Sequence, residues 1–254
     1  MAWWGTLLGG TLGYMFGGPL GALLGAALGR NFDSGLKLSE QQGFTPGDTE
    51  RVQAAFFTAT FSVMGHVAKA DGQVTNDEIA SARNIMAQMQ LDAAQREAAI
   101  KLFNEGKQAD FPLDEVLTQF KHECHRRRNL MQMFIEIQIA TVLADKNIHA
   151  AEKKLLYYIA DVLGFSHQHI EQFFHYAGGQ QKTGKFALKE AYALLGVSES
   201  DSDDKIKKSY RRLMNQHHPD KLVAKGLPEE MLKLATEKTQ QIQQAYDLIK
   251  KNRQ

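Results

Sequence analysis

Residues 205–221 read KIKKSYRRLMNQHHPDK, and this stretch decides how the C-terminal part of the chain is built. Ile206, Tyr210 and Leu213 recur at steps of four and three, the spacing of one inward face of an amphipathic helix. Around them, Lys205, Lys208 and Arg212 stand at i, i+3 and i+7, and Lys207 and Arg211 at i and i+4, so the solvent side carries dense positive charge. Like charges at such spacings cost a helix about 0.2–0.5 kcal/mol per pair, and an acidic partner steered onto the face accounts for them. Taken alone, the run is equally well explained as a solvated charged face. Pro219 fixes its own φ and disfavours helix at His218, so the chain should leave the helix abruptly and present His218 and Asp220 at a loop tip.

Working outward, Ala191 to Leu195 reads as a brief helix stopped by Gly196, Ser202 begins the basic helix, and Pro228 opens another through Tyr246 and Ile249. Four segments stand in order: Ala191-Tyr192-Ala193-Leu194-Leu195-Gly196-Val197, then Ile206 to Leu213, then His218-Pro219-Asp220-Lys221, then Ala245-Tyr246-Asp247-Leu248-Ile249. In that order and spacing they resemble a J domain. The resemblance implies stimulation of ATP hydrolysis by a DnaK-type chaperone, for which such domains need the His-Pro-Asp tripeptide. It also implies that Asp220 engages basic groups of the chaperone and that His218 helps set the contact. Pro219, Lys221, Tyr210, Lys205, Lys208, Arg211 and Arg212 complete the expected partner-binding set. None of these is expected to be a catalyst, so the chain is read as a non-enzyme without cofactor. DNA binding, the rival for a basic helix after a turn, is disfavoured because Asp201, Asp203, Asp204, Glu229 and Glu230 flank the basic run.

Upstream, Gly178 to Lys185 has linker composition. Before it, helical periodicity recurs in Val52 to Val67, Ile79 to Met89, Gln95 to Phe103, Leu113 to Phe120, Leu130 to Val142, Leu155 to Leu163 with Gly164 as a stop, and Ile170 to Phe174. No alternating pattern competes. Ala70-Asp71-Gly72-Gln73-Val74-Thr75-Asn76-Asp77-Glu78 lines up with Ala144-Asp145-Lys146-Asn147-Ile148-His149-Ala150-Ala151-Glu152, each copy opening a helix. Over roughly residues 50 to 176 this resembles the tellurite-resistance TerB-like helical domain. Asp71, Glu78, Asp145 and Glu152 are weak candidates for a cation site; helix capping and the helix dipole explain the same acids. His122-Glu123-Cys124-His125 lacks HExxH spacing and is not read as a metal motif, and Arg126 to Arg128 reads as a solvated helix end.

From Met1 to Gly29 no side chain ionises, a run long enough for a membrane helix, which needs about 20 predominantly apolar residues. A signal peptide is disfavoured by the missing basic n-region and the length of the apolar run. Gly5, Gly9, Gly13, Gly17, Gly21, Gly25 and Gly29 fall four apart and would form one groove for close helix pairing, hence a homodimer. Arg30 and Lys37 follow the run and no basic residue precedes it, which places the C-terminal bulk in the cytoplasm. With 30 Lys plus Arg against 29 Asp plus Glu, 43% hydrophobic and 23% charged residues, the chain is neither disordered nor globally polyanion-binding. Its single cysteine, Cys124, forms no intramolecular disulfide and suits a reducing compartment.

The expectation is an all-α chain: transmembrane anchor 1–30, juxtamembrane linker 31–47, TerB-like bundle 48–177, linker 178–186 and J-domain helical hairpin 187–254. The combination resembles the membrane-anchored DnaK co-chaperones of Gram-negative bacteria, which implies a single-pass inner-membrane protein that touches lipid, binds a DnaK-type chaperone and no nucleic acid. The alternative is a cation- or ligand-sensing TerB-like scaffold with the J domain as output.

Overall fold

The computed structural model describes residues 18–27, 48–72, 74, 76–89, 91–143, 148–168, 170–171, 174, 188–228 and 231–253. Among these the regular structure is entirely helical: α1 (18–27), α2 (Asp48–Ala68), α3 (Asn76–Gln88), α4 (Ala93–Gly106), α5 (Leu113–Glu123), α6 (Arg128–Leu143), α7 (Ala150–Leu163), α8 (Leu188–Leu195), α9 (Asp203–His217), α10 (Pro219–Val223) and α11 (Leu232–Arg253). The all-α expectation is met. The expected linkers, 31–47 and 178–186, lie outside the described residues.

Helix α2 is the axis of the bundle. Thr58 through Gly65 are buried without interruption, the mark of a helix enclosed on every side, and α4, α5, α6 and α7 all pack on it. Phe56 meets Phe120 of α5 edge-on at 6.0 Å, and Phe120 meets Phe134 of α6 at 4.7 Å, so one aromatic column ties three helices together. The hydroxyl of Ser62 is accommodated in this apolar setting by donating to Thr58 O at 2.7 Å.

The tightest crossing is between α2 and α4. A Cβ on Gly65 would fall 1.9 Å from Phe103 O, and one on Gly106 would fall 1.8 Å from Ser62 O. The two backbones therefore touch where both side chains are hydrogen. The His66 Nδ1 atom lies 3.1 Å from Gly106 O across the same contact.

Helix ends are set by local chemistry. Asp92 accepts from Gln95 N at 2.7 Å while Gln95 Oε1 accepts from Asp92 N at 3.0 Å, a reciprocal cap that starts α4. Gly164, at φ 80°, ends α7 as expected, and Phe165 N donates back to Ala160 O at 2.8 Å. Helices α3, α4 and α7 start up to five residues before their apolar periodicity, because first turns are polar and periodicity reports only the buried face. The last helix is described from Leu232, and Met231 N donates to Pro228 O at 3.0 Å, so the turn after Pro228 leads into it; Pro219 also occupies the first turn of a helix, the short α10.

Helix α1 covers part of the apolar N-terminal run. Leu20 and Ala27 are buried against the bundle, Leu20 N donates to Gln119 Oε1 of α5 at 2.8 Å, and Lys101 Nζ of α4 donates to Ala27 O at 2.8 Å. Among the described residues no helix is long and apolar enough to cross a membrane. Of the seven groove glycines, Gly21 and Gly25 lie in α1, and Gly5, Gly9, Gly13, Gly17 and Gly29 lie outside the described residues.

Replacing Gly65 with Ala should destabilise the bundle by about 3 kcal/mol, the upper end for overpacking, because the obstacle is backbone and cannot rotate away. Thermal unfolding of the variant checks this; an unchanged midpoint would mean that the two helices do not cross here.

Candidate functional site

The C-terminal unit has its own small core: Ala191, Tyr192, Leu194, Leu195, Ile206, Ile242, Ala245 and Ile249. Gly196, at φ 64°, stops α8, and Val197 N turns back to Tyr192 O at 3.0 Å. Ser202 caps α9, with its Oγ 3.4 Å from Lys205 N, and Asp203 and Asp204 sit in the first turn where the helix dipole favours anions. These acids, weighed above against phosphate binding, thus have a local structural role.

Helix α9 is amphipathic as its spacing predicts. Ile206 and Ser209 are buried, and the Ser209 hydroxyl donates to Leu195 O, pinning α9 to the end of α8. Tyr210 stacks on Tyr246 of α11 with centroids 4.2 Å apart and planes 15° from parallel, and its hydroxyl donates to Gln243 Oε1. Burial raises its pKa, with the nearby Asp247 carboxylate adding to the effect. Its ring therefore serves the hairpin's packing.

On the outer side, Lys205, Lys207, Lys208, Arg211 and Arg212 are exposed. Lys205 pairs with Asp201 at 2.7 Å, which holds the Asp201 carboxyl below its usual range, and Arg212 donates to Ser209 Oγ at 3.2 Å. The basic face is thus partly ordered by its own helix and loop.

Helix α9 ends at His217, and His218, at φ −58° and ψ 124°, turns the chain before Pro219 starts α10. The abrupt exit expected from Pro219 is present. His218 and Asp220 reach solvent, with side chains 47% and 90% exposed and the imidazole 3.9 Å from the carboxylate. Lys221 donates to Asn215 Oδ1, bracing the tip against the last turn of α9. The structure brings a solvent-facing His-Pro-Asp tip and a basic helix face together on one hairpin.

The root of this loop is buried. Leu222, Leu227, Met231 and Ala235 belong to the apolar cluster of the N-terminal bundle, and Gly226, at φ 92°, comes so close to α2 that a Cβ there would lie 2.9 Å from Val52 Cγ1. Beside this apolar contact, Lys238 Nζ of α11 lies 3.0 Å from Glu136 Oε2 of α6, and His217, 3% exposed, meets Gln132 Nε2 at 3.3 Å. The same Gln132 amide donates to Glu136 Oε1 at 3.0 Å, so its NH₂ also faces His217 Nε2, a geometry that suits an unprotonated nitrogen there, while Glu136 Oε1 lies 3.7 Å from the same atom. Burial lowers the His217 pKa, against the pull of Glu136. Burial would raise that of Glu136, but Lys238, then His217 and the Gln132 bond together bring it below the ordinary carboxylate value. Sequence periodicity did not single out these residues. The available signal was Glu136 itself, an ionisable side chain in the middle of the apolar run of α6.

Of the weak cation candidates, Asp71 Oδ2 lies 3.6 Å from His149 Nε2, while Glu152 Oε2 accepts from His149 N at 2.8 Å at the start of α7. The two motif copies thus meet at His149, and Glu152 acts there as a helix-end acceptor. Asp145 and the Glu78 side chain lie outside the described residues, and among those described no group of three such side chains is placed to hold a metal ion. His122 and His125 are exposed whereas Cys124 is buried. Arg128 lies over the Phe165 ring at 4.3 Å and donates to Gly164 O at 3.0 Å, so this end of the basic run is packed.

Three family models match: the transmembrane domain of co-chaperone DjlA over residues 1–39, tellurite resistance protein TerB over 57–174 and the DnaJ domain over 190–254. An all-helical chain with these parts is a J-domain co-chaperone with a membrane-anchoring segment. The chain is 44% identical to the co-chaperone protein DjlA of Vibrio cholerae, with 98% of each covered, and 42% identical to those of Photorhabdus laumondii and Yersinia pseudotuberculosis, with 100% of this chain and 99% of each relative covered. It belongs to the DjlA co-chaperone family. No solved structure matches it.

The His217 shift gives a pH dependence with a definite sign. A histidine with a lowered pKa in the packed state is penalised as pH falls through its ordinary value of 6.5, and a carboxylate with a lowered pKa loses its contribution at lower pH still. Acid therefore weakens the contact between α6 and the α9–α11 hairpin, and neutral pH preserves it. The imidazole resonance of His217 should titrate with a midpoint below 6.5 in the intact chain; a midpoint above 6.5 would show the ring to be a cation paired with Glu136.

Proposed function

We propose that this co-chaperone recruits a DnaK-type chaperone to the cytoplasmic face of the bacterial inner membrane and stimulates its ATP hydrolysis through His218, Pro219 and Asp220. The observation that carries the reading is the solvent-facing tip of the α9–α10 turn, with Asp220 90% exposed beside the basic face of α9. Asp220 offers a carboxylate to basic groups of the partner, and His218 sets the direction of the contact. Lys205, Lys208, Arg211, Arg212 and Lys221 steer an acidic surface towards it at a rate that falls with ionic strength. Tyr210 supports the site by holding α9 against α11.

The chain itself is not an enzyme in this reading and uses no cofactor. The N-terminal run is a single-pass anchor oriented by Arg30 and Lys37, with Gly5 through Gly29 at four-residue intervals forming a homodimer groove; entry into lipid requires α1 to leave the bundle surface on which Leu20 and Ala27 pack.

Steady-state ATP hydrolysis by DnaK with the full chain in detergent micelles tests the central claim. The Asp220→Asn and His218→Gln variants should return DnaK to its basal rate with helical content unchanged, since neither side chain is packed. Full stimulation by either variant would refute the role given to the tripeptide. Replacing Lys208 and Arg211 with Ala should raise the concentration needed for half-stimulation about tenfold, a loss of about 1.4 kcal/mol, and flatten its salt dependence.

A further inference from the structure

The J domain's own core, from Ala191 to Ile249, is separate from the apolar cluster of the bundle, yet four residues after the His-Pro-Asp tip are given to that cluster. The seam between the units differs from either core. Glu136, Lys238, His217 and Gln132 form its polar side, Asn129 Nδ2 donates to Gln216 O at 2.9 Å, and a cavity of about 260 Å³ lies among Ile85, Met133, Ile137, Leu234 and Lys238. A contact that is bordered by such an open cleft and combines a charge pair with four apolar residues is held less firmly than a closed apolar core. Separation along it would leave the J domain's own core, Ala191 to Ile249, intact and would expose Leu222, Leu227, Met231 and Ala235. Docked, it still leaves His218, Asp220 and the basic face of α9 in solvent.

We propose that the TerB-like bundle is an intramolecular docking platform for the J domain, in which Glu136 is a charge-operated latch that grips the root of the His-Pro-Asp loop and leaves its tip free. The partner that fits the α6 surface is thus the chain's own hairpin, presented through Lys238, His217 and the apolar residues Leu222 to Ala235. The functional part of this proposal rests on the DnaK reading above; the docking itself does not. A latched J domain offers its basic face from one direction only, because its other side is occupied by the bundle. A released one samples all directions its tether permits.

Intramolecular crosslinking of the full chain in detergent tests the latch. Thr49 O lies 3.6 Å from the Cβ position of Gly226, so a Thr49→Cys, Lys225→Cys pair reports docking with a short bis-maleimide. The native Cys124 does not interfere, because burial pushes its thiol up to about 12. Glu136→Lys should slow crosslinking at least about tenfold, since Lys238 is left facing a like charge, and adding Lys238→Glu should restore it. Should the lysine variant lose helical content, Glu136→Gln carries the same test with a smaller slowing. Unchanged crosslinking in the Glu136 variants, or no recovery in the folded charge swap, would overturn the latch. Asp220→Asn, assayed in parallel, should lose DnaK stimulation while crosslinking as the parent does, so failure of the DnaK reading and failure of the latch are read separately.

Discussion

Two hydrogens decide how the bundle is built. Helix α2 can serve as its axis because Gly65 and Gly106 let the α2 and α4 backbones touch, with no room at either site for even a methyl group. That contact brings α4 in without a layer of side chains, and it frees the other flanks of α2 for the Phe56, Phe120 and Phe134 column that sets α5 and α6. Helix α6 in turn displays Glu136, Gln132 and Asn129 to the J domain. The place where the hairpin docks is thus fixed, several contacts away, by the absence of two side chains.

The J domain divides labour along a few residues. His217 faces inward, buried against Gln132 and Glu136, while His218 and Asp220 face water. Pro219 makes this reversal possible: it forces His218 out of the helical region and then supplies the fixed φ that starts α10. Two adjacent histidines of the same chemistry therefore take opposite roles, one structural and one presented. The exposed basic face costs the helix some repulsion, part of which Asp201, Asp203 and Asp204 offset from the N-terminal end of α9.

Most of the architecture was legible because it is written in local patterns. The 3.6-residue periodicity marks the buried faces of α2 to α9, Gly164 and Gly196 announce their left-handed stops, and the tripeptide between two periodic runs marks the tip. What local patterns do not contain is contact between distant residues. Gly65 and Gly106 are unremarkable glycines until α2 and α4 are crossed. Glu136 was visible as a misfit in an apolar helix, but its partners Lys238 and His217 lie about a hundred residues on and share no periodicity with it. The short α10 was not anticipated, because its five residues are too few to show a periodicity and only Leu222 is buried in it.

The burial of Cys124 carries a consequence for the conditions under which such a protein works. It is the only thiol in the sequence, and burial pushes its pKa up to about 12, which disfavours the reactive thiolate at neutral pH. The chain offers oxidants and electrophiles almost nothing to attack at sulfur outside its methionines. None of the contacts described above uses a thiol, so oxidation can reach them only through methionines such as Met231 and Met133.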